Sequence, residues 1–139
     1  MATTATPASD STVTKERIRD QWVQDVTDLV HKVEHWSSSQ GWETKITPTT
    51  LGEEVTGGIY TVDQLTIDAP AGRLVLEPVA RGTMGADGRV DLYAWPSFFR
   101  VQILRRGRQW IVRTESGLDW PQPWDAETFR AIAEGLLRA

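Results

Sequence analysis

The chain has 139 residues, of which 40% are hydrophobic and 24% charged, and it carries a net charge of −4. This length and composition predict one globular domain with a single hydrophobic core. The absence of cysteine excludes disulfides, zinc–thiolate sites and cysteine nucleophiles, and it favours a reducing compartment, so we expect a cytoplasmic protein. No apolar run approaches the ~18 residues of a membrane-spanning helix.

The start of the chain predicts a tail rather than folded structure. Residues 1–12 are rich in Thr, Ala, Ser and Pro, and they lack the basic start and apolar middle of a secretory signal. We therefore expect a disordered tail over 1–12 and one domain over 13–139.

A long helix is predicted from Thr14 to Ser39. Its apolar residues recur at spacings of three and four: Ile18, Trp22, Val26, Leu29, Val33 and Trp36. Thr12 or Thr14 is suited to cap its start, and Gly41 follows its end. The same stripe fits the seam of a homodimer, but it lasts for under three heptads, which favours packing on a sheet.

Short apolar segments after the helix predict a mainly antiparallel sheet of about five or six strands. The expected strands cover 42–46, 59–67, 73–81, 89–95, 98–105 and 108–115. Pro48 should end the first strand, and residues 49–58 should form a loop. The expected cross-strand neighbours are Leu65 with Leu74, Val79 with Asp91, Ile103 with Trp110, Val101 with Val112 and Arg100 with Arg113. Asp63 would then point into the core, which predicts a bulge or a strand end near it.

Residues 72–115 alternate between one apolar face and one charged face. The apolar positions are Leu74, Leu76, Pro78, Ala80, Val90, Leu92, Ala94, Phe99, Val101, Ile103, Trp110 and Val112. The opposite positions are Arg73, Glu77, Arg81, Arg89, Asp91, Tyr93, Arg100, Gln102 and Arg113. Such alternation is typical of a sheet that is packed on one side only.

The last part of the chain predicts an extended segment followed by a closing helix. Trp120 to Trp124 contains two prolines and should run extended. Asp125 should cap a helix that buries Phe129, Ile132, Ala133 and Leu136. The fold class is therefore α+β, with the first and last helices on one face of the sheet.

Charge is divided unevenly along the chain. Residues 73–113 contain eight arginines and three acidic residues, a net charge of +5, which leaves −9 for the remainder. A basic sheet beside acidic helices favours an anionic partner, although charge segregation between two surfaces gives the same pattern.

The charged face therefore predicts a binding surface. Arginines interleaved with aromatic side chains bind single-stranded nucleic acid, and they also dominate protein interfaces. We predict a non-catalytic binding or accessory module without a cofactor, whose partner is a protein or single-stranded nucleic acid. The predicted contacts are Arg81, Tyr93, Arg100, Arg106, Arg108 and Arg113, with Glu77 and Asp91 orienting the arginines.

Two alternative functions stay open at this point. Glu77 with Asp63 or Asp68 resembles the metal-binding carboxylates of PD-(D/E)xK nucleases, but the lysine of that motif is replaced by Val79. The second alternative is a small dimeric chaperone or immunity-type protein that binds through its acidic surface.

The histidines suggest a zinc site only by their spacing. His31 and His35 match the H-x-x-E-H metalloprotease pattern, but the helix phase places both on the solvent side, so we predict no metal site.

The string LEPVARGTMGADGRVDLYAWP, residues 76–96, resembles part of a group of small uncharacterised bacterial proteins. That resemblance implies a bacterial origin and carries no activity.

Overall fold

The structure, a computed structural model, describes the backbone of residues 7–114 and 122–139 and the side chains of residues 13–114 and 124–139. Its elements, in chain order, are α1 (Pro7–Ser39), β1 (Glu43–Glu53), β2 (Gly58–Ala69), β3 (Gly72–Ala80), β4 (Arg89–Trp95), β5 (Arg100–Arg106), β6 (Gln109–Thr114), β7 (Gln122–Pro123) and α2 (Ala126–Arg138). Each strand pairs antiparallel with the next, so the sheet is a meander in sequence order. The predicted α+β class is confirmed. Within the described ranges, neither helix is long and apolar enough to cross a membrane.

Both helices cover the same side of the sheet, which we call the inner face. α1 contacts β1 and β2, and α2 contacts β3 and β4. The core between them is built from the apolar stripe of α1, the inner face and α2; its largest fully buried side chains include Trp22, Phe129, Leu29, Leu65, Ile67, Leu74, Leu76, Leu92 and Ile103. The opposite side is the outer face, and it carries the charged positions of the alternating pattern.

The two helices differ in how well their starts were predicted. α1 begins at Pro7, so Thr12 and Thr14 lie inside the helix and neither caps it. This start also falls within the segment that was expected to be a tail. α2 begins as predicted, because the Asp125 side chain accepts a hydrogen bond from Thr128 N at 2.8 Å, and Phe129, Ala133 and Leu136 are buried.

The first strand is longer than predicted. β1 continues through Pro48 to Glu53, and most of the expected loop pairs with β2. The prediction was wrong because β1 lies at the edge of the sheet, where a residue without an N–H removes no hydrogen bond from the ladder.

The expected cross-strand neighbours were each displaced by two residues. Leu65 lies opposite Leu76, Asp91 opposite Glu77 and Ile103 opposite Val112. The β5–β6 turn is formed by Gly107 and Arg108 rather than by Arg106 and Gly107. A displacement of two leaves a side chain on the same face, so the faces of these residues were predicted correctly although their neighbours were not.

β2 does not end near Asp63. Its buried positions are Tyr60 and Val62 before Asp63, and Leu65 and Ile67 after it. The inward side therefore changes between Val62 and Leu65, where the pairing with β3 also stops. This change keeps Asp63 out of the core without breaking the strand.

Candidate binding surface on the outer face of the sheet

The centre of the outer face is an ion-pair cluster of two arginines and one aspartate. Asp91 on β4 is only 1% exposed, and Arg89 binds its carboxylate through Nε and Nη2, both at 2.8 Å. Arg100 on β5 donates from Nη1 to the same carboxylate at 3.1 Å. One buried negative charge therefore holds two guanidinium groups against the sheet and compensates part of their charge. We call Arg89, Asp91 and Arg100 the arginine–aspartate cluster.

Tyr93 extends this cluster towards the end of β4. It lies opposite Arg100 in the strand register, and the Arg100 guanidinium sits 5.5 Å from the centroid of its ring. Burial raises the pKa of Tyr93 above its ordinary value, and the neighbouring carboxylate of Glu77 on β3 raises it further.

The connection from β4 to β5 presents three large aromatic side chains to solvent. Trp95, Phe98 and Phe99 are 51%, 47% and 50% exposed. The Phe98 ring packs edge-to-face on Trp95 at 5.0 Å and stacks on Tyr93 at 5.8 Å between centroids. We call Trp95–Phe99 the aromatic turn. Because the rings of Tyr93, Phe98 and Trp95 support one another, the turn offers a preformed apolar surface.

Backbone hydrogen bonds fix the shape of the aromatic turn. Ala94 N donates to Phe99 O at 3.0 Å, and Phe98 N donates to Ala94 O at 2.9 Å. Phe98 adopts a positive φ of 65°, which is unfavourable by roughly 1–2 kcal/mol for a residue with a Cβ. Strained residues of this kind are enriched at functional sites, where the surrounding structure holds them in place.

Charged groups border the aromatic turn on its β2–β3 side. Arg73 lies opposite Trp95 in the strand register, and its Nε donates to Asp68 at 2.8 Å. Both side chains are about half exposed. The apolar turn therefore has a polar rim, which is the usual arrangement of a protein-binding patch.

The predicted contacts do not all lie on this surface. Glu77, Asp91, Tyr93 and Arg100 come together around the arginine–aspartate cluster. Arg113 on β6 lies opposite Gln102, not Arg100, because of the displaced register.

The remaining predicted arginines lie away from the cluster. Arg106 donates from Nε to Gly85 O at 3.1 Å, and Arg108 is exposed in the β5–β6 turn. Arg81 lines a cleft beside α1, on the helix side of the sheet. The β3–β4 register shifts between Pro78 and Ala80, just before Arg81, so the alternation no longer holds at that position.

Phe99 is an apolar position that the alternation misplaced. It was expected on the inner face, but β5 begins at Arg100, and Phe99 belongs to the turn, where half of its surface is exposed. Arg89 was placed on the correct face but was not recognised as a site residue. Its spacing of two from Asp91 on one strand was the signal that could have found it.

The structure separates one of the two carboxylate pairs of the nuclease alternative, Asp68 with Glu77. Asp68 pairs with Arg73, which lies roughly 13 Å along β3 from Glu77 at 3.3 Å per residue. Across the described side chains, no group of three or more His, Asp or Glu residues is placed to hold a metal ion. His31 and His35 both face solvent, as predicted, and His31 lies 3.7 Å from Glu34.

A second polar network, missed from the sequence, links α1 to the β3–β4 connection. Glu53 was assigned to a loop, but its carboxylate accepts hydrogen bonds from Arg81 N at 2.9 Å and Gly82 N at 2.8 Å. The Tyr60 hydroxyl donates to Glu53 and accepts from Trp22 Nε1 at 3.2 Å. No local pattern marks Glu53, since the two backbone N–H groups that it binds lie 28 and 29 residues away along the chain.

No protein-family model, curated protein or solved structure matches this chain. The fold defines this chain as an α+β protein with an antiparallel meander covered by two helices on one face.

Proposed function

We propose that this chain is a non-catalytic protein-binding module that anchors its partner on the aromatic turn. The observation that carries the proposal is the exposure of Trp95, Phe98 and Phe99 together on a strained, hydrogen-bonded turn. Exposed aromatic clusters with a polar rim are typical of interaction sites, and Trp, Tyr and Arg are the residues most enriched among interface hot spots.

A protein partner is favoured over nucleic acid by the charges around the turn. Binding to nucleic acid rests on arginines or lysines that neutralise phosphates. Here the guanidinium groups of Arg89 and Arg100 are bound to Asp91, and that of Arg73 is bound to Asp68. These three arginines therefore supply less positive charge for phosphates than their number alone suggests.

A comparison of binding free energies indicates that the partner contacts a larger surface than the aromatic turn. Burying the exposed halves of three aromatic side chains removes roughly 300 Å² from water, which stabilises a complex by about 7 kcal/mol at ~25 cal/mol per Å². Association itself opposes binding by about 4–15 kcal/mol. The interface therefore has to extend over other outer-face residues, and Tyr93, Arg100, Gln102 and Arg113 are polar candidates for it.

The test is a partner capture with and without the turn's side chains. Wild-type protein, a Trp95→Ser/Phe99→Ser variant and an Ile59→Ser/Met84→Ser control are each used to capture proteins from the native host. Ile59 and Met84 are the most exposed large apolar residues elsewhere in the described chain, at 80% and 93%, so the control matches the loss of exposed apolar surface.

The proposal requires one protein that the wild type and the control retain and that the turn variant loses. A photo-crosslinker in place of Phe99 should join covalently to that same protein. If the turn variant captures the same proteins as the wild type, the aromatic turn is not the binding site. A salt-sensitive affinity for single-stranded oligonucleotide that depends on Arg100 and Arg113 would instead assign the outer face to nucleic acid.

A further inference from the structure

A cleft of about 480 Å³ lies between the first half of α1 and the loops at one end of the sheet. It is separate from the aromatic turn, because its walls come from α1, the β3–β4 connection and the β5–β6 end. Charged side chains line it from all three sides: Arg17 and Asp25 on α1, Arg81 and Asp87 on the β3–β4 connection, and Arg105 on β5. Its volume matches that of small-molecule sites, which run from about 300 to 1,000 Å³.

Three of these five charged groups are engaged in structural contacts. Arg105 forms an ion pair with Asp25 and also donates from Nε to Gly107 O at 2.8 Å. Asp87 accepts a hydrogen bond from Gly107 N at 2.9 Å. Asp25 and Asp87 therefore hold β5 and its turn in place, and each already has a donor.

The other two groups, Arg17 and Arg81, are different. Among the described residues, neither guanidinium has a carboxylate or hydrogen-bond partner, although both line the same cleft. Arginine presents a rigid fork of N–H donors that fits phosphate and carboxylate oxygens, and two such groups in one cleft repel each other unless an anion lies between them.

The Glu53 network builds the cleft that holds these two arginines. Glu53 binds the backbone N–H of Arg81 and Gly82, so the chain is held in place where the Arg81 side chain leaves it. Through Tyr60, Glu53 is linked to Trp22, which lies one and a half turns along α1 from Arg17. The network thus fixes the helix that carries Arg17 relative to the loop that carries Arg81.

We infer that this cleft binds a small molecule through an oxyanion group, a phosphate or a carboxylate, held between Arg17 and Arg81. Gln21, one turn beyond Arg17 on α1, also lines the cleft. Its Nε2 donates to Asp25 at 2.9 Å, which leaves the amide oxygen as an acceptor for the rest of the ligand. The three arginines against two aspartates leave the cleft with a net charge of +1. This excess is small, so one anionic group is the expected ligand charge rather than a chain of phosphates.

Heteronuclear NMR titrations with inorganic phosphate, succinate and sodium chloride at matched ionic strength test this inference on the wild-type protein. Saturable shifts of the Nε–H signals of Arg17 and Arg81, without shifts at Phe98 or Tyr93, are the expected result. Saturation by phosphate alone would assign a phosphate group, and saturation by succinate alone would assign a carboxylate. Shifts that merely follow ionic strength with all three salts would overturn the inference.

Variants give the second measurement. Arg17→Gln/Arg81→Gln should weaken the saturable binding at least about tenfold, because it removes both charge-assisted donors. Arg130→Gln/Arg138→Gln, which removes the same charge from exposed positions on α2, should leave the affinity unchanged. Equal weakening in both double variants would mean that net charge, not the cleft, attracts the anion. None of these residues lies in the aromatic turn, so the outcome is independent of partner binding there.

Discussion

The Trp22 ring lies directly over the backbone of Gly88. A Cβ built on Gly88 would stand 2.2 Å from Cζ3 of that ring, and the residue has a φ of +154°. α1 and the start of β4 therefore approach as closely as they do only because this position has no side chain. The same Trp22 side chain donates from Nε1 to the Tyr60 hydroxyl at 3.2 Å.

Substituting Gly88 should therefore be strongly destabilising. Gly88→Ala is expected to lower the free energy of unfolding by at least about 3 kcal/mol. The added Cβ would push the Trp22 ring out of its place in the core, and the φ of this position is unfavourable for alanine. Gly85→Ala is the matched control, since Gly85 also has a positive φ of +76° but nothing within 4 Å of its Cβ position. Urea denaturation should show a loss of only about 1 kcal/mol for the control. Equal losses would mean that the backbone angle, and not the ring contact, requires glycine.

The arginine–aspartate cluster predicts unequal effects for two similar substitutions. Asp91→Asn should destabilise the protein by about 2–3 kcal/mol, because it removes a buried charge that two guanidinium groups share. Asp68→Asn breaks an Arg–Asp pair with the same Nε-to-carboxylate distance of 2.8 Å at an exposed position, and its effect should be close to zero. Denaturant melts of both variants provide the measurement. If Asp91→Asn has a negligible effect on stability, the arginine–aspartate cluster does not stabilise the outer face.

The positive φ of Phe98 predicts that glycine at this position gives a more stable protein than alanine, which is the reverse of the usual order. Phe98→Gly should be more stable than Phe98→Ala by about 1 kcal/mol, because only glycine adopts a positive φ without a steric penalty. At the neighbouring Phe99, which has no positive φ, alanine should be at least as stable as glycine. Thermal and urea unfolding of the four variants tests the order. If alanine equals glycine at both positions, the turn relaxes easily and is not held in a strained shape.

The two tyrosines of the chain predict alkaline behaviour. Burial raises the pKa of Tyr60 well above its ordinary value, with further contributions from the hydrogen bond and charge of Glu53, and burial also raises the pKa of Tyr93. An unfolded phenol ionises near pH 10, so the folded protein binds the phenolic protons more tightly than the unfolded chain does. Stability should be unaffected below about pH 10 and should fall as the pH rises beyond it.

Near-ultraviolet absorbance of tyrosinate measures this directly. In the folded protein the tyrosinate signal should stay low near pH 10, and in denaturant it should appear there. The Tyr93→Phe variant leaves Tyr60 as its one tyrosine, and the midpoint of the tyrosinate titration of this variant should lie above pH 10. Two phenols that ionise near pH 10 in the folded protein would contradict the hydrogen-bonded burial of Tyr60.

The alternation of apolar and polar residues was enough to assign faces but not neighbours. Leu76, Asp91 and Val112 lie on the predicted sides of the sheet, yet each lies opposite a residue two positions from the expected one. The side-chain period of a strand is two, so displacements by two residues satisfy the same hydrophobic pattern. The position of each turn decides which of these registers forms. Gly107, with a φ of +60°, places the β5–β6 turn one residue later than expected.

By itself the sequence determined the α+β class, the apolar stripe of α1, the cap and buried side of α2, and the two faces of the sheet, because these follow from periodicity and local capping. Only the tertiary structure decided that β1 runs through Pro48, that Phe99 faces solvent, and that Arg81 turns towards α1. Those features depend on edge position, on where a turn begins and on contacts between residues far apart in the chain. Glu53 is the clearest case, since its carboxylate finds its donors only after the strands have paired.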